Sequence, residues 1–82
     1  MKLKRHVAVS ESGVLFNAAT GDSFSVNHLA ARIIELLKEG KTELKIKSIL
    51  LEEYEVDQES IDTDFFDFIS HLKQLNLLES NG

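Results

Sequence analysis

The chain has no cysteine, no proline and no tryptophan, and only four glycines among its 82 residues. Without cysteine it has neither a disulfide staple nor a thiolate metal site, so a reducing, cytoplasmic setting is expected. Without proline every helix can run unbroken. No stretch approaches the roughly 18 apolar residues that a membrane span requires. The basic start MKLKRHVAVS is not followed by the apolar run of a signal peptide, so an unprocessed chain with no membrane contact is expected. Repeats, low-complexity tracts and long linkers are also lacking, which leaves one domain over residues 1–82. A domain this small buries only about 60–65% of the surface its unfolded chain exposes, so its core is thin.

Positive charge is scarce where negative charge gathers. The net charge is −5, and Glu52, Glu53, Glu55, Asp57, Glu59, Asp62, Asp64 and Asp67 fall together with no Lys or Arg among them. Nucleic-acid affinity is dominated by phosphate contacts and needs the opposite sign, so DNA and RNA are not the expected ligands. Such a cluster is ordinarily a solvated helix face; as a functional surface it would attract a basic peptide or partner.

The hydrophobic period changes along the chain. Three short extended runs come first, His6–Val9, Val14–Phe16 and Ser23–Val26, separated by Glu11-Ser12-Gly13 and Ala19-Thr20-Gly21-Asp22, which suit hairpin turns. From Asn27 onward the period is about 3.6. Asn27 caps a helix with the stripe Leu29, Ile33, Leu36 and Leu37, ended by Gly40. Thr42 caps a second, with Ile46, Ile49, Leu50 and Tyr54 inward; Asp57 or Ser60 caps a third, with Ile61, Phe65, Phe68, Ile69, Leu72 and Leu75 inward until Asn76. The fold class is therefore α+β, a three-stranded antiparallel sheet followed by three helices. Met1–Lys4 and Ser80–Gly82 read as loose ends.

Catalytic chemistry has no foothold. His6, His28 and His71 are scattered, and none is paired at the helical spacing that presents two imidazoles to a metal. Ser70 and His71 are adjacent and point to different sides of a helix, unsuited to a nucleophile and its base. Asp62, Asp64 and Asp67 lie in the early turns of the third helix, where its dipole favours acids. Thr20-Gly21-Asp22 lacks the further glycines of a phosphate cradle. A non-catalytic protein without cofactor or metal is expected.

The ordered set Thr20-Gly21, Phe24, Val26-Asn27, Ile33, Gly40-Lys41-Thr42, Ile46, Leu50, Tyr54, Val56-Asp57, Ile61, Asp64-Phe65, Phe68-Ile69, Leu72 and Asn76-Leu77-Leu78 resembles the PqqD family. These are peptide-modification chaperones whose fold is also called the RiPP recognition element. The resemblance implies a winged helix-turn-helix-like domain. It also implies that the leader of a ribosomally made precursor peptide adds a strand to the third strand, in the groove beside the third helix. The modifying enzyme would be a separate protein, often a radical S-adenosylmethionine protein, and the chain itself a monomer or weak homodimer. Carried onto this sequence, the peptide edge is Ser23, Phe24, Ser25 and Val26, and the helix row facing it is Asp62, Phe66, Ile69, Ser70 and Lys73, with Phe66 as anchor and Phe65, Phe68 and Leu72 in the core. Two positions depart from the family pattern: Ala30 replaces a common Gly, and Ile34 replaces a usual aromatic, neither on the expected peptide edge.

The alternative is a winged-helix DNA-binding regulator. It would need basic residues along its recognition helix, whereas Ile61–Leu75 offers Lys73 against Asp62, Asp64 and Asp67. A structural subunit that buries the same edge strand in an intact protein partner is a third reading.

Overall fold

The computed structural model describes residues 2–79. Three strands, β1 (Val7–Val9), β2 (Val14–Asn17) and β3 (Asp22–Ser25), form an antiparallel meander in the order β1-β2-β3. Helices α1 (His28–Lys38), α2 (Glu43–Glu53) and α3 (Gln58–Gln74) follow. The change of period at Asn27 therefore marks the passage from sheet to helices.

Alternation gives the sheet two unlike faces. Val7 and Leu15 are buried and Phe24 is half-buried on the inner face, whereas the paired residues Ala8, Phe16 and Ser23 are exposed on the outer one. Gly13 makes the β1–β2 turn possible. Its φ is +86°, and a Cβ there would lie 2.7 Å from the Val26 carbonyl oxygen. That close approach lets the Val26 N–H donate to the Gly13 carbonyl at 2.8 Å, which fixes the end of β3.

Each helix begins at the expected cap. Oδ1 of Asn27 accepts from the Ala30 N–H at 2.8 Å, Oγ1 of Thr42 from Lys45 at 3.2 Å, and Oδ1 of Asp57 from Ser60 at 2.8 Å. Of the two residues able to cap α3, Asp57 does so. Helix α1 stops in a Schellman turn at Gly40, with Lys41 N–H donating to the Leu36 carbonyl and Gly40 N–H to Leu37. Helix α3 stops the same way at Asn76, φ 59°, where Leu77 N–H donates to Leu72 and Asn76 N–H to Lys73. Leu72 and Leu77 are both fully buried, the apolar contact that accompanies such a turn.

The core joins Val7 and Leu15 of the sheet to Ile33, Ile34, Leu36 and Leu37 of α1, Ile46 and Leu50 of α2, and Ile61, Phe65, Ile69 and Leu72 of α3. Ala30 and Ile34, the two positions that depart from the resemblance, are both buried. The N-terminal expectation needs correction: residues 2–4 are held, not frayed. Leu3 is buried and bridges Leu78, because the turn at Asn76 sends the chain back past the amino terminus. Met1 and Ser80–Gly82 lie outside the described residues.

An ion pair clamps α1 to α2. Nε and Nη2 of Arg32 donate to the two carboxylate oxygens of Glu53 at 2.9 and 2.8 Å. The Arg32 guanidinium holds the Glu53 carboxyl below its ordinary 4.5, and the Ser60 backbone N–H holds the Asp57 carboxyl below 3.8. Both pKa values are depressed by folding, so both contributions are complete above those ordinary values and are lost as pH falls through them toward the folded values. Urea midpoints measured from about pH 6 to about pH 3 are expected to fall below the ordinary carboxylate range, and Glu53→Gln should flatten the upper part of that fall.

Candidate peptide-binding site

β2 is the middle strand, so β3 has a free edge. Antiparallel pairs alternate between those that exchange hydrogen bonds and those that do not. Since the Val26 N–H bonds Gly13, the register Leu15↔Phe24 continues the bonded set, while Phe16↔Ser23 and Val14↔Ser25 are the intervening pairs. The backbone N–H and C=O of Ser23 and Ser25 therefore point outward along the open edge. Phe24 directs its backbone to β2 and its side chain to the core.

Beside this edge runs a groove against α3. One lobe, about 240 Å³, is walled by Phe24, Ser25 and Val26 on one side and by Phe68, His71 and Leu75 on the other, above Leu15 and Ala30. A second lobe, about 420 Å³, continues past Phe68 and His71 to Asp64 and Asp67 at one wall and Leu29 and Ile33 at the other. The first lobe is mostly apolar and the second is acid-rimmed, with no Lys or Arg in either lining.

The expected edge residues Ser23, Phe24, Ser25 and Val26 thus stand together, although β3 itself ends at Ser25. The α3 row expected to face them does not. Asp62, Phe66, Ile69, Ser70 and Lys73 line a different groove, with Lys47 of α2 and Leu78 beyond α3. The reason is helical rotation. At about 100° per residue, a helix seated on Ile61, Phe65 and Leu72 carries Asp62, Phe66 and Lys73 on one flank and Asp64, Phe68, His71 and Leu75 on the other. The sheet packs beside the second flank and α2 beside the first. Ile69, read both in the inward stripe and in the groove row, is buried in the core, and Phe68, expected wholly there, is only half-buried, packing on the core while it borders β3. Ala30 also lies under the groove, closer to the edge than expected.

Phe68, His71 and Leu75 were legible as a flank, since they recur at spacings of three and four residues. Which flank meets the sheet depends on packing between distant elements. On the α2 side Lys47 sits 3.0 Å from Glu43 and 3.1 Å from Asp62, with its ammonium 5.2 Å from the Phe65 ring centroid. Those two carboxylates raise the Lys47 pKa, keeping the charge that ties α2 to α3. Among the described residues no group of three or more His, Cys, Asp or Glu side chains could hold a metal, and no helix is long and apolar enough to cross a membrane.

Comparison with known proteins agrees with this architecture. The structure of TbiB1 in complex with the TbiA(beta) leader peptide is similar over all of this chain and 99% of that one, at 32% identity and a TM-score of 0.84. Lasso peptide synthetase B1 complexed with the leader peptide shares the fold over 96% of both chains, at 24% identity and a TM-score of 0.79. No curated protein sequence matches. The family model for coenzyme PQQ synthesis protein D matches residues 12–78, which contain the open edge, both lobes of the groove and all three helices. The chain belongs to the PqqD family.

Proposed function

We propose that this protein binds the leader of a ribosomally made precursor peptide by strand addition to β3 and presents it to a separate modifying enzyme. The observation that carries the reading is the juxtaposition of an unpaired backbone edge at Ser23 and Ser25 with a groove that accepts side chains from the added strand. Backbone pairing supplies affinity there, and side-chain pockets supply register. The complexes of TbiB1 and of lasso peptide synthetase B1 with leader peptides support the same reading.

The residues assigned to contact the leader are Ser23 and Ser25 through their backbones, and Phe24, Val26, Phe68, His71 and Leu75 through the groove. The acid-rimmed lobe favours a leader with a basic residue beside its apolar anchor, since no Lys or Arg faces Asp64 and Asp67 in that lining. The protein is non-catalytic in this account, and chemistry belongs to its partner, a radical S-adenosylmethionine protein being one such enzyme. It acts as a monomer or weak homodimer in the cytoplasm. DNA binding is disfavoured because the exposed positions of α3 are acidic rather than basic.

Titration with the TbiA(beta) leader peptide, the ligand in the TbiB1 complex, tests the assignment. Phe68→Ala is expected to weaken binding by about 1–3 kcal/mol, the loss of one aromatic contact at a small interface. Phe66→Ala should leave leader affinity unchanged. The opposite pattern would return the leader to the α2 flank.

A further inference from the structure

The groove on the α2 flank of α3 is larger than the one beside β3 and is left unused by leader binding. It encloses about 860 Å³ over a floor of Phe65 and Ile69. Phe66 stands at its lip with 70% of its surface exposed.

One wall of this groove carries an open backbone edge outside the three-stranded sheet. Lys4 N–H donates to the Leu77 carbonyl at 2.9 Å, and Glu79 N–H to the Lys2 carbonyl at 2.7 Å. These bonds flank the antiparallel pair Leu3↔Leu78, which is therefore the kind of pair that exchanges none of its own. The N–H and C=O of Leu78 are turned away from residues 2–4, and among the described residues neither has a backbone partner. Leu78 also walls the groove. An unpaired donor and acceptor beside an apolar trough is what an extended segment needs in order to dock.

Charge indicates which segment. Lys47 is held by Glu43 and Asp62, and Glu79 lies 3.8 Å from Lys2, whereas Lys73 on the rim has no ion-pair partner among the described residues. The β3 flank, by contrast, presents Asp64 and Asp67 with no Lys or Arg in the lining. Each flank thus leaves a different charge uncommitted, Lys73 on one and Asp64 and Asp67 on the other, and because α3 lies between them both can be filled at once.

We propose that the α2-side groove docks an extended segment of a second protein, one that pairs with Leu78, seats an apolar side chain against Phe66 and Ile69, and places a carboxylate at Lys73. That this second protein is the modifying enzyme rests on the leader-binding reading above. Leader and enzyme would then hold opposite sides of one helix, which brings them together without competition.

The probe is the blocked pentapeptide acetyl-Ser-Val-Phe-Ser-Glu-amide, titrated into the full-length 15N-labelled chain with and without bound leader. Saturable amide shifts are expected at Leu78, Glu79 and the flank from Phe66 to Lys73, with a dissociation constant on the order of 1 mM, and none at Ser23 or Ser25. Replacing the peptide's Glu by Lys should weaken binding about fivefold or more, and Lys73→Glu should reverse that preference. Phe66→Ala should remove the shifts while leaving the unfolding midpoint in place. No saturable shift, shifts confined to β3, or indifference to Lys73→Glu would overturn the proposal. Shifts at Leu78 that depend on protein concentration alone would also overturn it, by assigning the groove to a second copy of the chain. Leader that binds at β3 while the pentapeptide does not would remove this groove alone; pentapeptide that binds at Leu78 while no leader binds would remove the leader reading alone.

Discussion

Ser23→Pro is expected to weaken leader binding at least tenfold, about 1.4 kcal/mol, while the domain stays folded. The Ser23 N–H points out along the free edge of β3, so proline removes no bond to β2 there. Proline is tolerated in strands only at such edge positions, and the extended backbone of Asp22 suits the residue before it. What the substitution deletes is a donor that the leader strand would use, and the ring obstructs the strand's approach. Phe24→Pro is the informative contrast. Its N–H faces β2 and its side chain packs on the core, so that variant should lose the sheet itself. Isothermal titration with the leader, and urea unfolding of both variants, separate the two effects.

Adjacent phenylalanines on α3 should behave in opposite ways. Phe65 is 3% exposed, packs in the core and carries the Lys47 ammonium over its ring, so Phe65→Ala should cost about 3–5 kcal/mol of stability. Domains of this size hold roughly 0.05–0.15 kcal/mol per residue in total, so that loss removes a large share of the fold's stability. Phe66→Ala leaves no cavity behind and should change stability by no more than about 0.5 kcal/mol. Urea denaturation of the two variants, read by far-UV circular dichroism, measures the difference. Equal losses would mean that α3 sits rotated about its axis relative to the packing described.

Most of the architecture was legible because local rules and the global fold agree here. Asn27, Thr42 and Asp57 cap the helices they precede, Gly40 and Asn76 end two of them with positive φ, and the hydrophobic period changes where the sheet stops. The open edge at Ser23–Val26 followed from a three-strand meander with β3 last. The site was half legible. Helical spacing sorts α3 into flanks, but whether β3 lies beside Phe68 or beside Phe66 is decided by how Ile61, Phe65 and Leu72 seat the helix against elements far away in sequence. Long-range pairing also escaped at the amino terminus, where Leu3 is buried only because the turn at Asn76 brings Leu78 alongside it. The acidic run, open in the sequence to a wholly functional or wholly solvated reading, divides among tasks. Glu53 clamps α1, Asp57 caps α3, Asp62 holds Lys47, and Asp64 and Asp67 rim the groove.

Backbone hydrogen exchange on β3, followed with and without leader peptide, tests the central claim most directly. The amides of Ser23 and Ser25 face outward in the free protein and should exchange fast, while those of Phe24 and Val26 are bonded to the β2 side and should already be protected. Leader binding should slow Ser23 and Ser25 by tenfold or more and leave Phe24 and Val26 little changed. Saturable leader binding with no new protection at Ser23 and Ser25 would contradict strand addition at this edge.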